Sequence, residues 1–174
     1  MQSTLVMTVL GPDRPGLVES VAAVVSHHGG NWLESRMSRL GGQFAGILRV
    51  QLPTENEAAL TDALRGLENK GIAVVIHPDR AAGATAGAEL RMIELVGQDR
   101  PGIVQQITRA LAAHGVNVEE LETECVSAAM SGETLFKATA KVLLPASCDV
   151  AALKAEIEKI AADLIVEVAF HKVG

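Results

Sequence analysis

Aromatic and basic side chains are both scarce in this sequence, and their scarcity limits what the protein can bind. The 174 residues include three Phe, one Trp and no Tyr, and 15 basic residues stand against 21 acidic ones. Proteins that bind nucleic acid need a basic surface, and those that bind single strands usually add aromatic rings on which bases stack. The composition therefore argues against direct nucleic-acid binding.

Cysteine and long apolar runs are scarce as well. Cys125 and Cys148 lack the paired spacing of a zinc site or a disulfide framework, so we expect both to be small apolar filler and expect no metal. No apolar run is long enough to span a bilayer, and residues 1–4 lack the start of a secretory signal. We expect a reduced, soluble, cytoplasmic protein that has no membrane attachment and needs no cofactor.

The sequence contains an internal repeat. GPDRPGLV at residues 11–18 returns as GQDRPGIV at residues 97–104, a shift of 86 positions. At the same shift, HGGN at 28–31 returns as HGVN at 114–117. Such recurrence in register indicates a duplication. Phe44 and its counterpart Phe136 are 92 positions apart, which predicts six extra residues in the second copy, around 127–133.

Each copy predicts the same order of elements. In the first, Leu17, Val21, Val24 and Val25 form a helical stripe after Pro15, and Gly29 predicts the helix end. Gly41-Gly42 predicts a hairpin, and TENE at 54–57 predicts a capping box for a second helix with Leu60, Ala63, Leu64 and Leu67 on one face. The predicted strands are 3–10, 31–40, 43–52 and 71–77, and the first helix is 15–28.

In the second copy the predicted strands are 90–96, 117–126 and 134–144, and the first helix is 101–114. Ser147 is predicted to cap a helix with a stripe of Val150, Leu153, Ile157 and Ile160. A last strand carries the alternating residues Leu164, Val166, Val168 and Phe170.

The order βαββαβ, found twice, predicts an α+β fold of two ferredoxin-like domains, each an antiparallel sheet with helices on one face. We expect domains at 1–79 and 89–174, joined by an Ala/Gly-rich linker at 80–88. Domains of about 80 residues are marginal alone, and such sheets leave a face and edges uncovered. We therefore expect the copies to pack together and the protein to form a homodimer.

The repeated turn carries the chemistry. A helix start offers free backbone N–H groups and the positive end of the helix dipole, which favour a carboxylate or a phosphate. Gly16 and Gly102 let a ligand approach the backbone, while Asp13 and Asp99 are placed to face an ammonium group. The turn therefore fits a zwitterion, although Asp-x-Pro-Gly is equally good turn chemistry and either Asp is also a candidate N-cap.

DRPG-[LI]-V followed by HG-x-N resembles the ACT domain, a small regulatory module that senses amino acids, and the resemblance covers both halves. A tandem pair of this length is similar to the glycine cleavage system transcriptional repressor family. That resemblance implies a non-enzymatic repressor that senses an amino acid, glycine being the implied effector, and acts through a DNA-binding protein. Such modules often pair their sheets with ligand between domains.

The family's ligand positions map onto two sets of residues. We also expect the strand that begins at each Asn to run beside the turn, so that its amide reaches the ligand. Pro12 becomes Gln98 in the second copy, and Trp32 becomes Val118, so the two sites are expected to differ. The sets are Gly11, Pro12, Asp13, Arg14, Pro15, Gly16 and Asn31, and Gly97, Gln98, Asp99, Arg100, Pro101, Gly102 and Asn117.

Charge is divided unevenly between the copies. Residues 1–87 carry 7 basic and 8 acidic groups, whereas residues 88–174 carry 8 and 13. Arg36 and Arg39 in the first copy stand against Glu120, Glu122 and Glu124 in the second, which indicates either two solvated faces or electrostatic complementarity with a copy, subunit or partner. His28 and His114 recur at helix ends, where we expect capping rather than metal binding.

Three other functions remain open at this point. The chain is alternatively a regulatory subunit or module of an amino-acid or one-carbon metabolic enzyme, because similar domains accompany such enzymes. A purely structural dimerisation protein is another reading, and direct DNA binding is the weakest. No nucleophile motif, phosphate-binding loop or dinucleotide fingerprint supports an activity of its own.

Overall fold

Two units with the same topology, Met1–Ala82 and Gly83–Gly174, make up the chain. The computed structural model describes residues 1–79, 87–127 and 133–173. The predicted linker at 80–88 and the predicted insertion around 127–133 therefore fall largely outside the described residues.

The first unit is a four-stranded antiparallel sheet with two α-helices. Its sheet order is β2-β3-β1-β4, so that β3 and β1 are central. Short 3-10 helices, Thr54–Asn56 and Gly66–Lys70, flank the second α-helix. The elements are β1 Gln2–Pro12, α1 Leu17–His27, β2 Asn31–Leu40, β3 Gln43–Pro53, α2 Glu57–Arg65 and β4 Ala73–Pro78.

The second unit repeats this arrangement with the sheet order β6-β7-β5-β8, again antiparallel throughout. The predicted α+β fold of two ferredoxin-like βαββαβ repeats is therefore confirmed. The elements are β5 Glu89–Gln98, α3 Ile103–Ala113, β6 Asn117–Ser127, β7 Thr134–Leu144, α4 Val150–Leu164 and β8 Val166–Lys172.

Each unit has its own core between the sheet and its helices. Alternate residues of the central strands are buried, which is the period-2 pattern of a sheet covered on one face. Fully burying such an aliphatic side chain stabilises the fold by roughly 2 kcal/mol. The first core includes Leu5, Met7, Val9, Val21, Leu48, Val50, Leu60 and Leu64, and the second includes Ile93, Leu95, Ile107, Leu111, Val142, Leu153 and Ile157.

The first helix of each unit begins later than the sequence predicts. Gly16 and Gly102 have φ of 85° and 94°, so they lie outside the helix, which starts at Leu17 in one unit and Ile103 in the other. The left-handed glycine separates the helix from the preceding proline. The predicted end at Gly29 is confirmed, because its N–H donates to the Ser26 carbonyl at 3.0 Å and its φ is 70°.

The capping predictions at the second helices are wrong. No side chain caps α2, and the Thr54 hydroxyl instead accepts a hydrogen bond from the Ser3 hydroxyl at 3.0 Å. In the second unit Asp149, rather than Ser147, caps α4: its Oδ1 accepts from the N–H groups of Ala151 and Ala152, both at 3.0 Å. The first error arises because Thr54–Asn56 forms a 3-10 helix before α2, and the second because Asp149 has the extended backbone of an N-cap, with ψ of 97°.

The buried face of α4 also differs from the predicted stripe. Val150 is exposed, and Leu164 belongs to the end of the helix rather than to the last strand. The residues that α4 buries are Leu153, Ile157, Ala161 and Leu164, with Ile160 partly buried beside them.

The two helix-end histidines make different contacts. A ring nitrogen of His28 bonds the Val24 carbonyl of its own helix at 2.8 Å, as expected for a residue at a helix end. His114 instead contacts the Glu156 carboxylate at 2.8 Å, which joins α3 to α4. His114 is the C-cap residue of α3, as predicted, but its N–H rather than its side chain bonds the carbonyls at the end of the helix.

Replacing Asp149 with Ala tests the observed cap of α4. We expect the free energy of unfolding to fall by about 1 kcal/mol, because two helix N–H groups lose their acceptor. Ser147→Ala is the matched control and should change stability by less than about 0.5 kcal/mol. Urea unfolding followed by circular dichroism measures both, and equal losses in the two variants would contradict the assignment.

Candidate functional site

The repeated turns lie between β1 and α1 and between β5 and α3. Of the two glycines in each turn, the first is tightly packed and the second faces open space. A Cβ added at Gly97 would lie 2.6 Å from Val166 Cα, so this glycine is needed for strand packing. Gly11 is also tight, 3.1 Å from the Gly71 carbonyl oxygen. By contrast, a Cβ at Gly16 would meet no atom within 4 Å, and one at Gly102 only the Gln106 amide nitrogen at 3.6 Å. The backbone is open beside the helix starts.

Neither α1 nor α3 has a side-chain cap at its start. The alternative that Asp13 or Asp99 serves as the N-cap is therefore wrong. Instead their own N–H groups donate to the end of the neighbouring hairpin, Asp13 to the Gly42 carbonyl at 2.9 Å and Asp99 to the Thr134 carbonyl at 3.0 Å. Each turn is thus held by the hairpin, while the start of the helix keeps its positive end without a side-chain acceptor.

In the first turn the charged side chains already have partners within the unit. Arg39 Nη1 donates to Asp13 Oδ2 at 3.3 Å, and the Asp13 side chain is 33% exposed. The Arg14 guanidinium donates to the Lys70 carbonyl, which ties the turn to the segment before β4.

In the second turn the equivalent carboxylate has a neutral neighbour. Cys125 lies opposite Phe136, as Arg39 lies opposite Phe44, so the two residues occupy matching register positions. Desolvation raises the pKa of the Cys125 thiol, and the nearby Asp99 carboxylate raises it further. Arg100 stays within the turn and donates to Gln98 Oε1 at 3.0 Å.

The sequence contains the signal for this difference, since 39 and 125 are 86 positions apart, the shift of the repeat. The contrast in charge between Arg36 and Arg39 and the three glutamates of the second copy does not single out Cys125, because Cys125 is uncharged. Its relevance depends on knowing that this strand position lies beside the turn.

The expectation that Asn31 and Asn117 lie beside the turns of their own copies is wrong. Asn31 is opposite Gln51, which is opposite Thr4, near the start of β1. Pro12 is eight residues farther along that strand, about 26 Å at the usual rise per residue. Asn117 occupies the same place in the second unit and donates to Glu119 Oε1 at 2.6 Å. Within one unit, a single amino acid cannot contact both the turn and the Asn.

The open face of the second sheet, which the helices leave uncovered, holds a groove that is separate from the turn. The groove has a volume of about 410 Å³ and its charged walls are Glu94, Glu122, Glu124 and Lys137. It includes no residue from 97–102. In the described ranges no three His, Cys, Asp or Glu side chains are grouped to hold a metal, and no described helix is long and apolar enough to cross a membrane.

Comparison with known proteins assigns both units to one family. The ACT domain family model matches residues 3–77 and 89–171. The glycine cleavage system transcriptional repressor of Escherichia coli (strain K12) is 26% identical over 168 residues, which cover 94% of this chain and 86% of that protein. The protein of the same name from Shigella flexneri matches to the same extent.

A solved structure is similar to this chain over its whole length. The crystal structure of an unknown protein from Galdieria sulphuraria matches with a TM-score of 0.85 and 27% sequence identity, covering 100% of both chains. The similarity thus includes both units rather than one isolated domain. This chain belongs to the ACT domain family, with two ACT domains in tandem, and is related to the glycine cleavage system transcriptional repressors.

Proposed function

We propose that the protein is a non-enzymatic regulator that senses a small amino acid, glycine first among the candidates, and represses transcription of the glycine cleavage system through a DNA-binding partner. The observation that carries the proposal is an open, uncapped helix start beside a carboxylate, found once in each of two ACT domains. The relation to the Escherichia coli repressor over 94% of the chain supports the transcriptional role.

The ligand chemistry follows from the two charges of the turn. The helix N–H groups and dipole favour the carboxylate of an amino acid, and Asp13 or Asp99 favours its ammonium group. The ligand sites comprise residues 11–16 and 97–102, and a small side chain suits an approach close to the backbone of Gly16 or Gly102. Asn31 and Asn117 also belong to the proposed ligand site, but each contacts a ligand at a turn other than the turn of its own unit.

A protein partner is part of the proposal because the chain has a net charge of −6. A surface without excess basic charge gains little from the phosphate backbone, so DNA has to be reached through another protein. We place this activity in the cytoplasm and assign it to a homodimer, in which ligand biases the assembly towards one of two states.

Calorimetric titration with the twenty amino acids, glycine first, tests the sensing function. We expect wild-type chain to bind a small amino acid and the Asp13→Ala, Asp99→Ala double variant to bind it at least about tenfold more weakly, because the ammonium group loses its acceptor. Asp62→Ala, an exposed aspartate on α2, is the matched control and should bind as wild type does. Failure of all twenty to bind, or indifference to the double substitution, would overturn the proposed site.

Affinity capture from the native cell extract, with and without glycine, tests the transcriptional function. We expect a DNA-binding regulator to be recovered, in an amount that changes with glycine, because ligand shifts the binding-competent population. Recovery of an amino-acid or one-carbon enzyme would instead support the alternative of an enzyme regulatory subunit. A gel shift of DNA by the isolated chain at physiological salt would contradict the need for a partner.

A further inference from the structure

We propose that the strand residue facing each turn, Arg39 in the first domain and Cys125 in the second, determines which turn binds the amino acid, so that the second turn is the high-affinity site and the first the low-affinity one. This inference rests on the proposed function. It adds a pair of residues that gives the two repeated sites different affinities for the amino acid.

The two turns differ little in their backbones. Gly16 and Gly102 both adopt a left-handed conformation, with φ of 85° and 94°. Both helices start without a side-chain cap, and both aspartates donate their N–H to the adjacent hairpin at about the same distance, 2.9 and 3.0 Å. The backbone donors for a ligand carboxylate are therefore matched, and the difference between the turns lies in their side chains.

The decisive side chains are the partners of the two aspartates. Arg39 places a guanidinium 3.3 Å from Asp13 Oδ2. Among the described residues, no Lys or Arg nitrogen lies within 4.0 Å of the Asp99 carboxylate, and the residue at the register position of Arg39 is Cys125, whose thiol is close enough to Asp99 for the carboxylate to raise its pKa. Because the raised pKa keeps that thiol protonated at neutral pH, Asp99 faces an uncharged neighbour.

An incoming ammonium group has a charged competitor at Asp13 and an uncharged neighbour at Asp99. In the first domain it has to displace Arg39 from Asp13, and the guanidinium, which is always charged, repels it at short range. In the second domain it replaces a weak thiol donor and gains a charge-assisted hydrogen bond to Asp99. An exposed ion pair contributes little by itself, so we expect competition and repulsion together to weaken the first site by about tenfold.

The turn arginines also have different partners. Arg14 bonds the Lys70 carbonyl and so fixes the first turn to a neighbouring segment, whereas Arg100 bonds Gln98 inside its own turn.

Exchange of the two strand residues tests the inference in the full-length protein. The nitrogen-15-labelled chain is titrated with each of the twenty amino acids, glycine first, and the amide resonances of Gly16 and Gly102 report on the two turns separately. In the wild type we expect Gly102 to reach its midpoint at about tenfold lower ligand concentration than Gly16. Cys125→Arg should raise the Gly102 midpoint by about tenfold, and Arg39→Cys should lower that of Gly16.

Cys125→Ser is the matched comparison, because it keeps a small neutral group beside Asp99, and its Gly102 midpoint should lie well below that of Cys125→Arg. The inference is overturned if Cys125→Arg behaves like Cys125→Ser, or if Gly16 responds first in the wild type. Absence of any response at both amides with all twenty amino acids is a different result, since it overturns the proposed function and this inference with it. Unshifted thermal midpoints in the variants confirm that they fold.

Alkylation of Cys125 by iodoacetamide at pH 8 tests the contact on which the difference depends. The Asp99 carboxylate raises the pKa of the thiol, so Asp99→Asn should lower that pKa, increase the thiolate fraction at fixed pH and speed the reaction. Peptide mass spectrometry separates Cys125 from Cys148, whose rate is the internal control and should stay constant. An unchanged rate at Cys125 would show that the two side chains are not in contact.

Discussion

Burial of one apolar face of each four-stranded sheet beneath two helices is the constraint on which the rest of the molecule depends. The covered face forces α1 and α3 to run back along the sheet from the ends of β1 and β5, and β2 and β6 then begin at the far end. This path puts the helix start, the turn aspartate and the tip of the hairpin together at one end of the sheet. It also puts Asn31 and Asn117 at the other end, so the packing of the core decides which polar residues can share a ligand.

Much of the fold was predictable because the duplication supplies the same pattern twice. The bounds of β2 and β7 agree with those predicted, since glycines and alternating apolar residues mark hairpin strands clearly. The helix starts and caps were less predictable. Asp149 caps α4 and Ser147 does not, although both residue types are good caps, because α4 begins directly after Asp149, whose backbone is extended.

The place of the two turns in the fold was predictable, whereas ligand binding at them stays a prediction. The repeated DRPG located each turn between the first strand and the first helix of its copy, and the structure adds that Gly16 and Gly102 have a positive φ there. The position of Asn31 was mistaken because the end of β2, and not its beginning, lies near the turn. Arg39 and Cys125 lie on strands two positions away in the sheet from β1 and β5, so the register is needed to show that these equivalent residues lie beside the turns.

The bond from the Asp99 N–H to the Thr134 carbonyl has a consequence for how the two domains diverge. Thr134 begins β7, the strand that follows the six extra residues predicted around 127–133. A change of length in that hairpin therefore acts on the backbone of Asp99 through one hydrogen bond, without passing through the core. Loop length is thus a means of retuning one turn of the pair while the helices, the sheet and the other turn keep their sequence.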